Sequence, residues 1–403
     1  MRGLNPDILA VAPPPIPEAR RWASLYDGRL GPAIDLTQAV PGYPPHPDLV
    51  ARLAEAATRP ESFAYGEITG DPALREVYAA DASSLYGGAI SPGAIAITTG
   101  ANMASFAVTM LLARAGEAIM LPVPWYFNHQ MNAAMLGIRA VPLPCRPEDG
   151  FVPDPERAAA LLDESVRAIF LVTPNNPTGA NYPPNVIAAF AELCRRRGIR
   201  LVLDETYRDF RPAELDRPHD LFADPQWRED VIGLYSFSKS YCVPGYRLGA
   251  VTAGESTMRQ LVTVLDCLQI CAARVGQAAL AWAIPALTEW RERNRAIMNG
   301  RAAAARAAFD RLDGWRIDGC GAYFAYARHP DPEIGSFRVA ERLAVEAGVV
   351  TLPGAAFGPE QEAYLRLAFA NVESEAIEAV ARRLSSTSVI PGLAEREPGA
   401  HKR

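Results

Sequence analysis

The sequence predicts an α/β fold in which a large domain, with a mostly parallel seven-stranded sheet flanked by helices, is joined to a smaller α+β domain. Three observations carry this. Between about residues 92 and 252, short β-rich runs alternate with longer helical segments, the pattern of strands linked by helical crossovers. Most of those runs are nearly continuous apolar stretches rather than alternating ones, as strands covered on both faces are. After residue 285 the pattern gives way to one long Ala/Arg/Glu-rich stretch and a shorter mixed region.

Taken in order, residues 1–33 read as an N-terminal arm. Its apolar run Ile8–Ala12 ends in three prolines and is too short for a signal-peptide core or a membrane span. The expected strands are Ala94–Thr98, Ala118–Leu121, Arg139–Leu143, Ala168–Val172, Arg200–Leu203, Val231–Tyr235 and Leu248–Thr252. Between them Ala104–Ala113, Pro155–Asp163 and Pro184–Arg197 carry helical spacing, with Gly198 as a stop, so the crossovers are expected to be right-handed. Leu287–Leu312 reads as one helix, and a last helix is expected near Glu373–Leu384. The domains are therefore expected at 49–285 (large) and at 34–48 with 286–385 (small). Residues 386–403, rich in Ser, Pro, Gly and charge, read as a disordered tail.

A net charge of −6 and a pI near 5.6 speak against nucleic acid or an anionic membrane as partner, both of which select clustered basic surface. A small molecule is the expected partner. The six cysteines lie scattered without CxxC pairs and the five histidines lie apart from them, so no metal site is expected. Free thiols suit a reducing cytoplasm. Neither GxGxxG nor GxxxxGK[ST] occurs, which removes two common nucleotide-binding fingerprints.

Of the 40 basic residues only Lys239 and Lys402 are lysines. Arginine cannot be deprotonated to act as an amine nucleophile, whereas lysine can be tuned to attack a carbonyl. Lys239 lies in SFSKSYCVPGYRLG, directly after the expected strand Val231–Tyr235, and Arg247 follows it by eight residues. Ligands of open parallel sheets gather at the carboxyl ends of strands, where Ser236, Ser238 and Arg247 are suited to hold an anion. Asp204, at the start of DETY, also stands at a strand end and is suited either to a protonated heterocyclic nitrogen or to an ordinary N-cap. Asn176 sits in the turn TPNNPTG. In TTGANMA, Gly100, Ala101 and Asn102 would offer backbone amides at a helix N-terminus, an anion site by geometry and dipole.

In this order and spacing, NNPTG, D-E-x-Y and SxxK with an arginine eight residues on resemble the class I/II aminotransferases, the fold-type I enzymes that depend on pyridoxal 5'-phosphate (PLP). The likeness covers about residues 34–373. It implies that Lys239 forms the Schiff base with PLP and then moves the proton at Cα, that Asp204 pairs with the pyridine nitrogen, and that Asn176 and Tyr207 hydrogen-bond the phenolic oxygen. Ser236, Ser238, Arg247 and the segment Gly100–Asn102 would hold the phosphate. Tyr126 would stack on the ring, with adjacent Trp125 as the other candidate. Tyr65 would reach the phosphate of a neighbouring subunit, which implies a homodimer with shared sites. Arg366 in YLRLAFA would clamp the substrate carboxylate. Where the family has a glycine in G-x-P-D-[FY], this chain reads Ala39-Val40-Pro41-Gly42-Tyr43, and the added methyl of Ala39 bears on substrate range. The implied activity is ping-pong transfer of an amino group from an amino acid to a 2-oxo acid. A lyase, decarboxylase or cyclase on the same scaffold is the alternative. Dicarboxylate donors would need a second basic group, for which Arg274 in CAARVGQ is the candidate.

Overall fold

In the computed structural model, residues 3–331 and 333–386 are described. A short strand β1 (Ile34–Asp35) comes first. The large sheet follows as β2 (Ile95–Thr98), β3 (Ala118–Val123), β4 (Arg139–Pro144), β5 (Val166–Val172), β6 (Arg200–Asp204), β7 (Val231–Ser236) and β8 (Gly249–Thr252). Their spatial order is β2-β8-β7-β6-β5-β3-β4. All seven expected strands are present, with ends displaced by a few residues. Every residue of β3 and β7 is buried, whereas β4 at the edge alternates toward solvent, as a strand with one neighbour does.

One strand runs against the rest. β8 is antiparallel to both β2 and β7, while β7, β6, β5, β3 and β4 pair in parallel. The start of β8 therefore falls on the same edge as the carboxyl ends of the others. Gly249 stands opposite both Thr98 and Ser236, and Asp204 stands opposite Val172 and Leu234.

Beyond this sheet come β9 (Arg316–Gly321), β10 (Phe324–Arg328), β11 (Val349–Val350), β12 (Leu352–Pro353) and β13 (Tyr364–Ala368). Four of them form an antiparallel sheet in the order β12-β13-β10-β9, and β11 pairs with β1. The expected helix over Leu287–Leu312 is Thr288–Phe309, parted at Leu287 from a preceding helix Arg274–Ala286. The helix expected to open at Ala104 begins instead at Ala101, because Gly100, with φ +83°, ends the strand turn three residues earlier. The expected tail lies outside the described residues from 387 onward. Its first residue, Ser386, still belongs to the helix Ser374–Ser386, which the buried stripe Ile377, Val380, Ala381 and Leu384 carries to that point.

Candidate active site

A cavity of about 590 Å³, counting its open mouth, lies at the carboxyl edge of the large sheet. The single described lysine enters it from a one-turn helix, Phe237–Ser240, that follows β7 directly. Lys239 Nζ donates to Ala39 O at 2.6 Å. Burial, with the nearby charges of Arg247 and Arg366, brings its pKa down from 10.5 to about 8, because an ammonium loses more hydration than an amine. Neutral amine is thus present near physiological pH.

Asp204 ends β6 and lines the same cavity. Burial alone would raise its pKa, but the hydrogen bond and charge of His129 and the bond from Thr206 outweigh it and hold the carboxyl below its usual range. His129 Nε2 stands 3.1 Å from Asp204 Oδ2, and the Thr206 amide donates to Oδ1 at 3.0 Å. The N-cap alternative fails: no α-helix follows Asp204, only the short 3-10 turn Arg208–Phe210.

At one end of the cavity the groups suited to an anion converge. The helix Ala101–Leu112 opens with no side-chain cap, leaving its first amides toward the cavity. Arg247, two residues before β8, folds over Gly100 so closely that a Cβ there would meet Nη2 at 2.3 Å; the guanidinium can shift to relieve that contact, and it is φ +83° that favours glycine. Ser236 caps the Lys239 turn, while Ser238 Oγ is buried without a hydrogen-bond partner among the described residues. Such an orphan hydroxyl costs about 1–3 kcal/mol unless a ligand satisfies it.

The opposite wall carries Arg366, buried in the middle of β13. Its Nη1 donates to Asn176 Oδ1 at 3.2 Å, its Nη2 donates to Thr37 O, and its Nε is buried without a partner among the described residues. Burial lowers its pKa to about 10 against the opposing charges of Tyr207, Tyr126 and Asp35. Phe324 and Phe357 face it at 5.1 and 5.3 Å. Tyr207 also lines the cavity, and burial raises its pKa strongly.

The remaining expected residues divide. Tyr126 lines the cavity and its hydroxyl donates to Asn102 Oδ1 at 3.2 Å. Trp125 instead packs near Gly358 and faces a neighbouring cleft bordered by Pro13–Pro15, so of the two aromatic candidates only Tyr126 reaches the cavity. Tyr65 is 80 % exposed and is not brought to the cavity of its own chain. Arg274 is also absent from it: its Nε donates to Asp71 Oδ1 at 3.1 Å and its Nη1 to Glu61 O at 2.5 Å. The sequence reading missed His129 and Tyr323, whose hydroxyl donates to Lys239 O at 3.3 Å. His129 left a faint signal, standing one helical turn after Tyr126. Tyr323 left none.

Comparison with known proteins agrees with this geometry. Residues 32–384 match the family described as aminotransferase class I and II. The chain is 27 % identical over 359 residues to the aromatic aminotransferase ISS1 of Arabidopsis thaliana, covering 87 % of this chain and 88 % of that one. It is 29 % identical over 351 residues to a valine–pyruvate aminotransferase of Mycobacterium tuberculosis, covering 84 % and 87 %. In fold it is similar to the aspartate aminotransferase of Thermus thermophilus with maleate, at a TM-score of 0.87, 24 % identity and coverage of 97 % and 100 %. With the motif order, the sheet topology and a match over most of its length in agreement, the chain belongs to the class I and II aminotransferases.

Proposed function

We propose that this aminotransferase works with PLP held at Lys239, moving an amino group from an L-amino acid to a 2-oxo acid in two half-reactions. The observation that carries the reading is the placement of the chain's single internal lysine, buried with a lowered pKa, in the same cavity as a buried carboxylate and a set of anion-suited groups that includes the orphan Ser238 hydroxyl. PLP supplies a carbonyl carbon that takes up the amino group and a ring that accepts the electron pair released at Cα. The cradle fits its phosphate: the Ala101 and Asn102 amides, Ser236, the orphan Ser238 hydroxyl and Arg247. Asp204, kept ionised by His129, would hold the proton on the ring nitrogen. Tyr207 and the Asn176 amide nitrogen would donate to the phenolic oxygen, since Asn176 Oδ1 already accepts from Arg366. Tyr126 would cover one face of the ring.

Arg366 receives the substrate's α-carboxylate. Its fork has only a carbonyl and a neutral amide as partners, and a bound carboxylate satisfies both its charge and its orphan Nε. Lys239, neutral in part at pH 7–8, is the base that takes and returns the Cα proton. Asp71 occupies Arg274 within this chain, which favours donors without a second carboxylate.

The same reading includes a homodimer with Tyr65 reaching the partner's phosphate, supported by the exposure of Phe63 and Tyr65, both 80 %. It also includes a PLP-binding domain over 49–285 with a smaller one over 34–48 and 286–385, supported by the two separate sheets and the β1–β11 pair. Six free cysteines support a cytoplasmic setting. Borohydride treatment of the PLP-loaded protein is expected to fix PLP on Lys239, and Lys239→Ala to abolish the adduct; an adduct mapped elsewhere refutes the assignment. Amino acid alone is expected to convert the bound PLP to pyridoxamine phosphate, and lack of conversion with every donor refutes transamination. Mixing and re-annealing Lys239→Ala and Tyr65→Ala proteins is expected to restore activity through hybrid dimers with one intact site; no recovery counts against shared sites.

A further inference from the structure

Behind the Lys239 turn lies a cluster of charged groups that the transfer chemistry does not use. Asp209 Oδ2 accepts from Tyr235 Oη at 2.6 Å and from Ser240 Oγ, and Tyr235 Oη also lies 3.1 Å from Ser240 Oγ. Tyr235 is the penultimate residue of the strand that enters the turn, and Ser240 directly follows Lys239, so one carboxylate grips the turn on both sides. Arg291 Nη1 stands 3.5 Å from Asp209 Oδ1 while its Nη2 pairs with Asp81 at 2.9 Å. Asp81 in turn pairs with Arg208, which donates to Tyr86, whose hydroxyl donates to Glu205 beside Asp204. None of these side chains lines the cavity.

A helix of four residues has too few internal hydrogen bonds to hold itself, so tertiary anchors set where Lys239 points. The turn's other anchors are longer: the Phe237 amide to Leu248 O is 3.2 Å, the Ser236 cap to the Ser238 amide 3.4 Å and the Tyr323 bond to Lys239 O 3.3 Å, while the 2.6 Å bond from Lys239 Nζ to Ala39 O holds the amine and not the turn. The bonds to Asp209 are charge-assisted and shorter, the stronger kind. Burial alone would raise the Asp209 pKa, but Arg291 and Arg208 outweigh it and keep the carboxylate ionised.

We propose that Asp209 is a positioning residue for Lys239, fixing through Tyr235 and Ser240 the turn that aims the amine into the cavity. This rests on the reading of Lys239 as the reactive amine, and the test separates the two. Lys239 in the cofactor-free protein is methylated with formaldehyde and cyanoborohydride across a pH series, and the extent at its peptide is read by mass spectrometry; PLP takes no part. The wild-type midpoint is expected near the pKa of about 8. In Asp209→Asn a looser, wetter amine is expected to move it up by about one unit. In the PLP-loaded protein, kcat is expected to fall about tenfold with the donor KM within about twofold, the pattern of a misplaced reacting group, and Asp209→Glu is expected to recover part of both. A lowered melting temperature with an unmoved midpoint and unchanged kcat would overturn the proposal, leaving Asp209 a stabilising residue only. If Asp209→Asn does not fold, Ser240→Ala removes one donor and is read the same way, with an unmoved midpoint and kcat again decisive against it. Absence of a wild-type PLP adduct at Lys239 would refute the PLP reading alone, since the methylation series still decides on Asp209.

Discussion

The two halves of the cavity are built differently. On the side proposed for the cofactor, Asp204 ends β6, Lys239 and Ala101 each stand three residues past a strand end, and Arg247 stands two before β8. One sheet register places them all. On the side proposed for the substrate, Arg366 is mid-strand in another sheet and meets Thr37 O and Asn176 from segments more than a hundred residues away. That wall exists only because two sheets pack together. The cofactor side is therefore expected to tolerate little change, and the substrate side to be where specificity is tuned.

The largest effect that separates the halves is expected from Arg366→Gln. Losing charged hydrogen bonds to a carboxylate costs about 1.5–3 kcal/mol, so kcat/KM is expected to fall about ten- to a hundredfold for every donor. PLP affinity, followed by absorbance, is expected to hold within about threefold of wild type. Release of PLP from this variant would break the division between the halves. Arg247→Ala is the mirror case: weaker PLP retention, with donor KM nearly unchanged once PLP saturates the protein.

A smaller effect crosses the divide. Arg247 and Arg366 both push the Lys239 pKa down, after burial. Only the neutral amine attacks a carbonyl, so the rate of PLP capture by cofactor-free protein is expected to rise with pH and level off above about 8. Removing the Arg366 charge favours the ammonium, which shifts that profile to higher pH. Stopped-flow absorbance measures it, and a profile unmoved in Arg366→Gln would show that burial alone tunes the lysine.

What was readable in the sequence follows the same division. Lys239, Asp204, Arg247 and the Gly100–Asn102 turn were legible because each is a short motif at a strand end, and local spacing fixes where a strand end points. β8 running against its neighbours was not legible, since pairing direction is decided by partners far along the chain. It is nonetheless what returns Arg247 to the shared edge. His129 and Tyr323 were missed because their roles are set by packing: a histidine on a helix and a tyrosine between two strands carry no pattern until the tertiary fold brings them to Asp204 and Lys239. Arg366 and Tyr126 were found by resemblance, and for Tyr126 the choice over Trp125 needed the side chains' directions. Tyr65 was placed by resemblance too, at a position its own chain does not bring to the cavity.

The smallest expected effect probes how far the substrate wall is tunable. Ala39 contributes its carbonyl to Lys239 and packs against the cluster that holds Tyr207 and Phe324, and Ala39→Gly removes only the methyl. With the carbonyl kept, the position of the amine and hence PLP capture should not change. A glycine adds backbone freedom to the unfolded chain, so stability is expected to drop by about 0.4–1 kcal/mol, read from thermal melting. One methyl against a substrate side chain is worth about 1 kcal/mol, so the kcat/KM ratio of a bulky donor such as phenylalanine to alanine is expected to rise about two- to fivefold. An unchanged ratio would mean that residue 39 faces the lysine and not the substrate side chain, and selectivity would then have to be sought at the cavity mouth, where the partner's Tyr65 is proposed to enter.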